Sequence, residues 1–180
     1  CLYIAHAAPH SPMQGPNEKA IRTEATLEGD KNSDRPNKEI YKDMVEELDW
    51  SVGRILETLK KYKLDKNTFV VFFSDNGPVI NNGGYRGAKG APWEGGHRVP
   101  GICYMPGTVK GGTMCKQTVM SFDLFPTMLD MANIHYDDSK KKLDGASLVP
   151  LFKGKELSQR LLFWGNGNKT ISVRDGKWKL

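Results

Sequence analysis

The sequence predicts an α/β fold, and three observations carry that reading. Phe69-Val70-Val71-Phe72-Phe73 is an uninterrupted apolar run with β-branched and aromatic members, the pattern of a fully buried strand inside a parallel sheet. Before it, Ile40, Met44, Leu48, Val52, Leu56 and Leu59 recur at helical spacing, so helix and strand together make half of a βαβ unit. After it, an apolar stretch from Gly101 to Met105 and a helical pattern from Leu124 repeat the alternation.

Taken in order, Cys1 to Ala5 reads as a buried strand, and the polar stretch from Met13 to Pro36, with Asn17, Glu18, Arg22, Glu28, Asp30 and Asp34, as an irregular loop. Asn37 is placed to cap a helix of about six turns that ends near Tyr62. The buried strand follows, then a second strand over Gly101 to Met105 closed by Pro106-Gly107, and a short strand over Gln117 to Met120. Asp123 is placed to cap a helix from Leu124 to about Asn133, with Pro126 tolerated in its first turn. Ser147 starts a short helical turn ending near Gly154. From Leu161 the pattern becomes short strands with turns, and Asp175-Gly176 marks a hairpin. Residues 1–157 are thus expected to form the main α/β part and 158–180 the start of a small antiparallel subdomain. With no initiator methionine before the first strand and a return strand that stops at Leu180, the chain reads as an internal piece of a longer protein.

Composition narrows the function classes. The 180 residues are enough for one ordinary core, and no run of eighteen apolar residues exists to span a membrane. A net charge of +5 suits an anionic substrate, while no nucleic-acid-binding module accompanies it. Lys140-Lys141-Lys142 follows Asp137-Asp138 and reads as a solvated loop. Cys1, Cys103 and Cys115 have no metal-site spacing and form no even disulfide set, and a Cys103–Cys115 pairing stays open.

The chemistry concentrates after the central strand. Ser74-Asp75-Asn76-Gly77 sets a carboxylate and an amide oxygen at its carboxyl end, the edge where α/β sheets bind ligands. Such oxygens suit a hard divalent cation, although the same residues also make ordinary turns. The stretch Gly83 to Pro100 holds six glycines interleaved with Tyr85, Arg86, Lys89, Trp93 and Arg98, a shaped loop able to face an anion or a surface loop with solvated cations.

With Ala8-Pro9-His10-Ser11-Pro12, Ser74-Asp75-Asn76-Gly77, Arg86-Gly87-Ala88-Lys89-Gly90, Trp93-Glu94-Gly95-Gly96-His97-Arg98-Val99-Pro100-Gly101, Asp123-Leu124-Phe125-Pro126-Thr127 and Leu143-Asp144-Gly145-Ala146-Ser147-Leu148 in that order, the chain resembles the later part of a sulfatase catalytic domain of the alkaline-phosphatase-like superfamily. The ordered set is more specific than any single motif. The resemblance implies a mixed or parallel sheet between helices, hydrolysis of sulfate esters, and a Ca²⁺ ion, or Mg²⁺ in its place. It implies Asp75 and Asn76 as metal ligands, with Lys89 and His10 as catalytic, sulfate-binding residues. An imidazole can bind the anion or assist the leaving group near neutral pH. The family's nucleophile is a formylglycine made in a Cys-x-Pro-x-Arg setting. That setting is missing here, and Cys103-Tyr104-Met105-Pro106-Gly107 is a decoy. The nucleophile and further metal ligands are therefore expected upstream, and residues 1–180 alone are expected to be inactive.

The substrate implied is a sulfated small molecule or glycan, and the compartment periplasmic, secreted or lysosomal. Glu94 and Arg98 are expected to hold the loop rather than touch substrate, and His97 to line the rim or lie exposed. Arg86 is expected either to neutralise the metal carboxylates or to brace the loop, and His6 and His135 have no motif support. Where relatives carry glycine before the equivalent of Leu64, Lys63 stands, which predicts a looser helix end. A phosphodiesterase or phosphonate hydrolase of the same superfamily and a catalytically silent anion- or glycan-binding homologue are the rival readings.

Overall fold

The computed structural model describes residues 1–18, 34–79, 82–139, 141–167 and 170–180, in two compact units, 1–64 and 65–180. Most of the expected loop from Met13 to Pro36, including Arg22, Glu28 and Asp30, lies outside the described residues, as does Lys140.

In the first unit, helix α1 (Asn37–Lys61) turns the predicted stripe inward: Ile40 and Met44 are buried, and Leu48, Val52, Leu56 and Leu59 are half-buried. Asn37 is not its cap. Pro36 holds that position with no side-chain cap bond, and Asn37 is already helical. Arg35 stabilises this end instead, bonding Asp43 at 2.8 Å and Glu18 at 2.9 Å, contacts that raise its pKa, Asp43 foremost. The helix end is tighter than the sequence suggested. Lys63 adopts φ +56°, its amide reaches the Lys60 carbonyl at 3.0 Å, and the Leu64 amide reaches Leu59 at 2.8 Å. That paired pattern is a full Schellman turn, so hydrogen bonding holds a non-glycine residue in the left-handed region. Cys1 to Ala5 is exposed and is not a strand, which corrects the expectation; its apolar residues have no strand partner among the described residues.

The second unit carries two antiparallel sheets. Strand β1 (Val70–Phe73) pairs with β2 (Gly101–Tyr104), with Phe73 opposite Gly101. The α/β class holds, but the fully buried strand in a parallel sheet is corrected here. β1 is half-buried and Phe73 is 38% exposed, because β2 is its single partner among the described residues. Gln117 to Met120 is irregular rather than a strand. Strands β3 (Leu161–Asn166), β4 (Thr170–Asp175) and β5 (Trp178–Lys179) form a meander, with the expected turn at Gly176.

Two of the sequence motifs prove to be halves of one polar junction. Asp123 is fully buried at the end of a 3₁₀ turn (Ser121–Asp123) that runs into helix α3 (Leu124–Met131). It does not cap α3 through its side chain. That carboxylate accepts instead from the Met120 amide at 2.7 Å, the Ala146 amide at 2.9 Å and both terminal nitrogens of Arg160. The Thr127 hydroxyl, also buried, donates to the Asp123 carbonyl and accepts from the Leu148 amide at 2.8 Å. The Asp-Leu-Phe-Pro-Thr and Leu-Asp-Gly-Ala-Ser-Leu stretches therefore satisfy each other's buried groups, ahead of the short helix α4 (Val149–Phe152). The three cysteines are free, and burial raises the Cys103 pKa.

Candidate active site

The chain leaves β1 through a turn built by its own side chains. The Ser74 hydroxyl donates to the Asn76 carbonyl at 3.0 Å, and the Asn76 amide donates to the Asp75 carboxylate. Asp75 is exposed and Asn76 half-buried, so neither points into a sheet core. Gly77 is buried where its amide donates to the Gly96 carbonyl at 2.9 Å. A Cβ on Gly77 would overlap the Gly95 carbonyl oxygen, so the motif's glycine is there for close backbone approach.

The glycine-rich loop folds back on that turn. The Lys89 amide donates to the Pro78 carbonyl at 3.0 Å, and the Gly95 amide to the Arg86 carbonyl at 2.8 Å. The backbone at Lys89 is thereby held against the segment that follows Asp75 and Asn76, with the Lys89 residue exposed. The aromatic residues brace the loop: the Arg86 guanidinium lies 3.9 Å from the Trp93 ring centre, and that of Arg98 lies 4.8 Å from Tyr85. Of the two roles open to Arg86, the structure displays the bracing one.

The short helix α2 (Glu94–His97) holds the far side. Glu94 Oε1 accepts from Arg174 at 2.9 Å and Lys179 at 3.2 Å, while Oε2 lies 3.8 Å from Arg98. Burial works against the Glu94 charge, but the bonds from Lys179 and Arg174 and their charges outweigh it and hold its pKa below the usual value. Glu94 and Arg98 thus hold the loop, as expected. His97 does not behave as expected. It is not exposed; it stacks on Trp164 with ring centres 4.6 Å apart, and its Nε2 lies 2.8 Å from Lys179 Nζ. An ammonium only donates, so Nε2 accepts and Nδ1 carries the proton. Burial first, then the Lys179 charge, keep the His97 pKa below its ordinary value; Glu94 pulls the other way, and Arg174 adds a weaker lowering.

Trp164, Arg174 and Lys179 are the contributors that sequence reasoning missed. The available signal was β-alternation: Arg174 shares its strand face with Ser172, which is buried, and a cation on an inward face requires a partner.

His10 belongs to the other unit. Its amide closes a turn onto the Ala7 carbonyl at 2.9 Å, and its Nδ1 lies 2.7 Å from the Ser11 carbonyl. A carbonyl only accepts, so the proton is assigned to Nδ1. The structure places Asp75, Asn76 and Lys89 in one unit, with the Lys89 backbone bonded to Pro78, and His10 in the other.

Adjacent carboxylate and amide oxygens at an exposed strand end fit a hard divalent ion as part of its shell. Among the described residues no cluster of three or more His, Cys, Asp or Glu side chains could complete one.

The profile of the sulfatase family matches residues 1–134. N-acetylgalactosamine-6-sulfatase of Canis lupus familiaris is 37% identical over 147 residues, which cover 77% of this chain and 28% of that protein. Steryl-sulfatase of Homo sapiens is 38% identical over 133 residues, covering 67% and 22%. The chain thus spans about a quarter of the length of these curated relatives. Among solved structures, Ps i-CgsB in complex with k-i-k-neocarrahexaose matches with a TM-score of 0.76 and 30% identity over 96% of this chain and 38% of its own. The PsFucS1 sulfatase from Pseudoalteromonas sp. matches with a TM-score of 0.65 over 79% of this chain and 29% of its own; at 24% identity it shows the fold alone. No helix among the described residues is long and apolar enough to cross a membrane. The ordered motifs, the loop closed on the strand end and a family profile covering residues 1–134 lead to one conclusion: the chain belongs to the sulfatase family.

Proposed function

We propose that this chain contributes part of the active site of a hydrolase acting on sulfate esters of a small molecule or glycan. The observation that supports the reading is the closure of the glycine-rich loop onto the end of β1, where the Lys89 amide meets the Pro78 carbonyl and the Gly77 amide meets Gly96, so that Lys89 lies on a backbone fixed next to the Ser74–Gly77 turn. The relatives' names and the neocarrahexaose complex support a sulfated sugar or sterol as the kind of molecule handled.

In this reading Asp75 and Asn76 supply two oxygens to Ca²⁺, or to Mg²⁺, which takes the same kind of ligand. The ion, when bound, supplies positive charge that stabilises the anionic sulfuryl group in the transition state. Lys89 adds a point charge toward the sulfuryl oxygens from a backbone fixed before substrate arrives, so little reorganisation is needed during the reaction. His10 donates its Nδ1–H to the Ser11 carbonyl, so it would serve the anion in the imidazolium form, with Nε2–H donating to a sulfate oxygen or giving its proton to the leaving oxygen. The formylglycine proposed for this chemistry belongs to sequence outside these 180 residues, since they contain no Cys-x-Pro-x-Arg.

The test is turnover of an aryl sulfate with Ca²⁺ by the full-length protein that carries this chain. Lys89→Ala should lower turnover about 100-fold, the scale of losing one preorganised electrostatic donor. Asp75→Ala should weaken Ca²⁺ binding measured by calorimetry. A Lys89→Ala rate within twofold of wild type removes Lys89 from the site. Faster turnover of an aryl phosphodiester than of the aryl sulfate overturns the sulfatase reading.

A further inference from the structure

The four residues of α2 have two faces that do different things. One face has no side chains. Gly95 and Gly96 lie against the Arg86–Ala91 backbone so closely that a Cβ on Gly96 would overlap the Ala91 carbonyl oxygen and stand 2.8 Å from that of Ala88. The Gly96 carbonyl also receives the Gly77 amide at 2.9 Å, and the Gly95 amide reaches Arg86 at 2.8 Å. The other face is all side chain. Glu94 meets Arg174 on β4 and Lys179 on β5, and His97 stacks on Trp164 of β3 and meets Lys179. The Pro92 carbonyl, just before α2, accepts from Ser172 of β4 at 3.3 Å.

We infer that Glu94 is a positioning residue through which the C-terminal sheet β3–β4–β5 sets the Lys89 loop and the Asp75–Asn76 turn. It touches neither of the atoms proposed to meet substrate. It acts by holding α2, whose bare face is the template for both segments. Charge balance makes it the sensitive point. A single carboxylate faces three cations, Arg98, Arg174 and Lys179, the last two on largely covered side chains. Neutralising Glu94 removes the two charge-assisted bonds that tie α2 to β4 and β5 and leaves Arg174 and Lys179, paired neighbours on the sheet, without the counter-charge between them, so that α2 loosens from the sheet. Only Gly90, Ala91, Pro92 and Trp93 separate Lys89 from Glu94, so displacement of α2 is delivered directly to Lys89.

This inference rests on the proposed sulfatase site only for its consequence in catalysis; the mechanical coupling stands without it. The experiment therefore reads amide hydrogen exchange alongside activity in the full-length protein, comparing wild type with Glu94→Gln and with Lys179→Met. In Glu94→Gln the amides of Gly77, Lys89 and Gly95 should exchange at least about tenfold faster, as expected for loss of charged hydrogen bonds that close a local opening. The β3–β4 ladder and α1 should keep their wild-type exchange. With an aryl sulfate, kcat should fall while KM changes less. Adding Lys179→Met to Glu94→Gln should return part of the protection at Lys89 by relieving cation repulsion. If Glu94→Gln does not fold, Lys179→Met alone, which keeps Arg174 on Glu94, carries the same test with a smaller expected change. Unchanged exchange at Gly77 and Lys89, or equal acceleration in every element, overturns the inference. Absent sulfatase turnover in wild type, with the local exchange changes present, would overturn the proposed function and leave the coupling standing.

Discussion

The two sheets of the second unit are both small and antiparallel, yet they serve the candidate site in opposite ways. β1–β2 contributes through an end: it carries no charged residue, and the chemistry begins one residue beyond Phe73. β3–β4–β5 contributes through a face. Ser172, Trp164, Arg174 and Lys179 face the glycine-rich loop, while Leu161, Phe163, Ile171, Trp178 and Leu180 on the other face are 55–90% exposed. A strand end places one or two ligands by the direction of a turn; a strand face places several groups at fixed spacing and can therefore balance charges. The second arrangement suits holding a loop, and the first suits offering ligands to a cation.

The C-terminal sheet is anchored at a second point as well, where Arg160 at the entry to β3 grips the buried Asp123. Breaking that anchor should give the largest effect on stability. Asp123→Ala leaves a partly covered guanidinium and two backbone amides without their acceptor, at a cost of about 3–5 kcal/mol. Urea denaturation measures it, and a loss below 1 kcal/mol would show that the sheet is held by α2 alone.

The next effect separates a helix position that must accept a close backbone neighbour from a strand position that need not. Gly96→Ala forces a methyl group into the Ala91 carbonyl and should destabilise by about 1–3 kcal/mol. Gly101→Ala, on β2 with nothing within 4 Å of its Cβ, should change stability by about 0.5 kcal/mol or less. Equal midpoints for the two variants would remove the template role given to α2.

The smallest effect is one of pH. His97 is packed neutral among Lys179, Arg174, Arg98 and Glu94 and against the Trp164 ring, with its folded pKa below the ordinary 6.5. The unfolded chain therefore takes up a proton at this residue before the folded one does. The stability tied to neutral His97 is complete above pH 6.5 and is lost as pH falls from there toward the lower folded value. Midpoints measured between pH 7.5 and 5 should fall in wild type and fall less in His97→Gln. Parallel profiles would show that the imidazole does not sense this junction.

Part of this architecture was legible because its causes are local. The stripe from Ile40 to Leu59 needs only helical periodicity, and the hairpin at Asp175-Gly176 needs only a residue that tolerates positive φ. The Ser74-Asp75-Asn76-Gly77 turn was equally readable, since a hydroxyl bonding two residues on is a property of the tetrapeptide. Local chemistry also misled. Asn37 and Asp123 are good capping residues by type, but Pro36 occupies one cap, and Asp123 is drawn to Arg160 and Ala146 instead. Leu2, Tyr3 and Ile4 look like a strand, but composition alone supplies no partner strand.

By itself the sequence determined the α/β alternation, the family, and the residue types offered to a cation and an anion, because periodicity, turn chemistry and ordered motifs are written along the chain. Only the tertiary structure decided that β1 pairs antiparallel with β2, that His97 is packed rather than exposed, and that Glu94 is answered by Arg174 and Lys179 some eighty positions away. Strand pairing, burial and charge balance are properties of contact, and contact depends on which surfaces meet once the chain has folded.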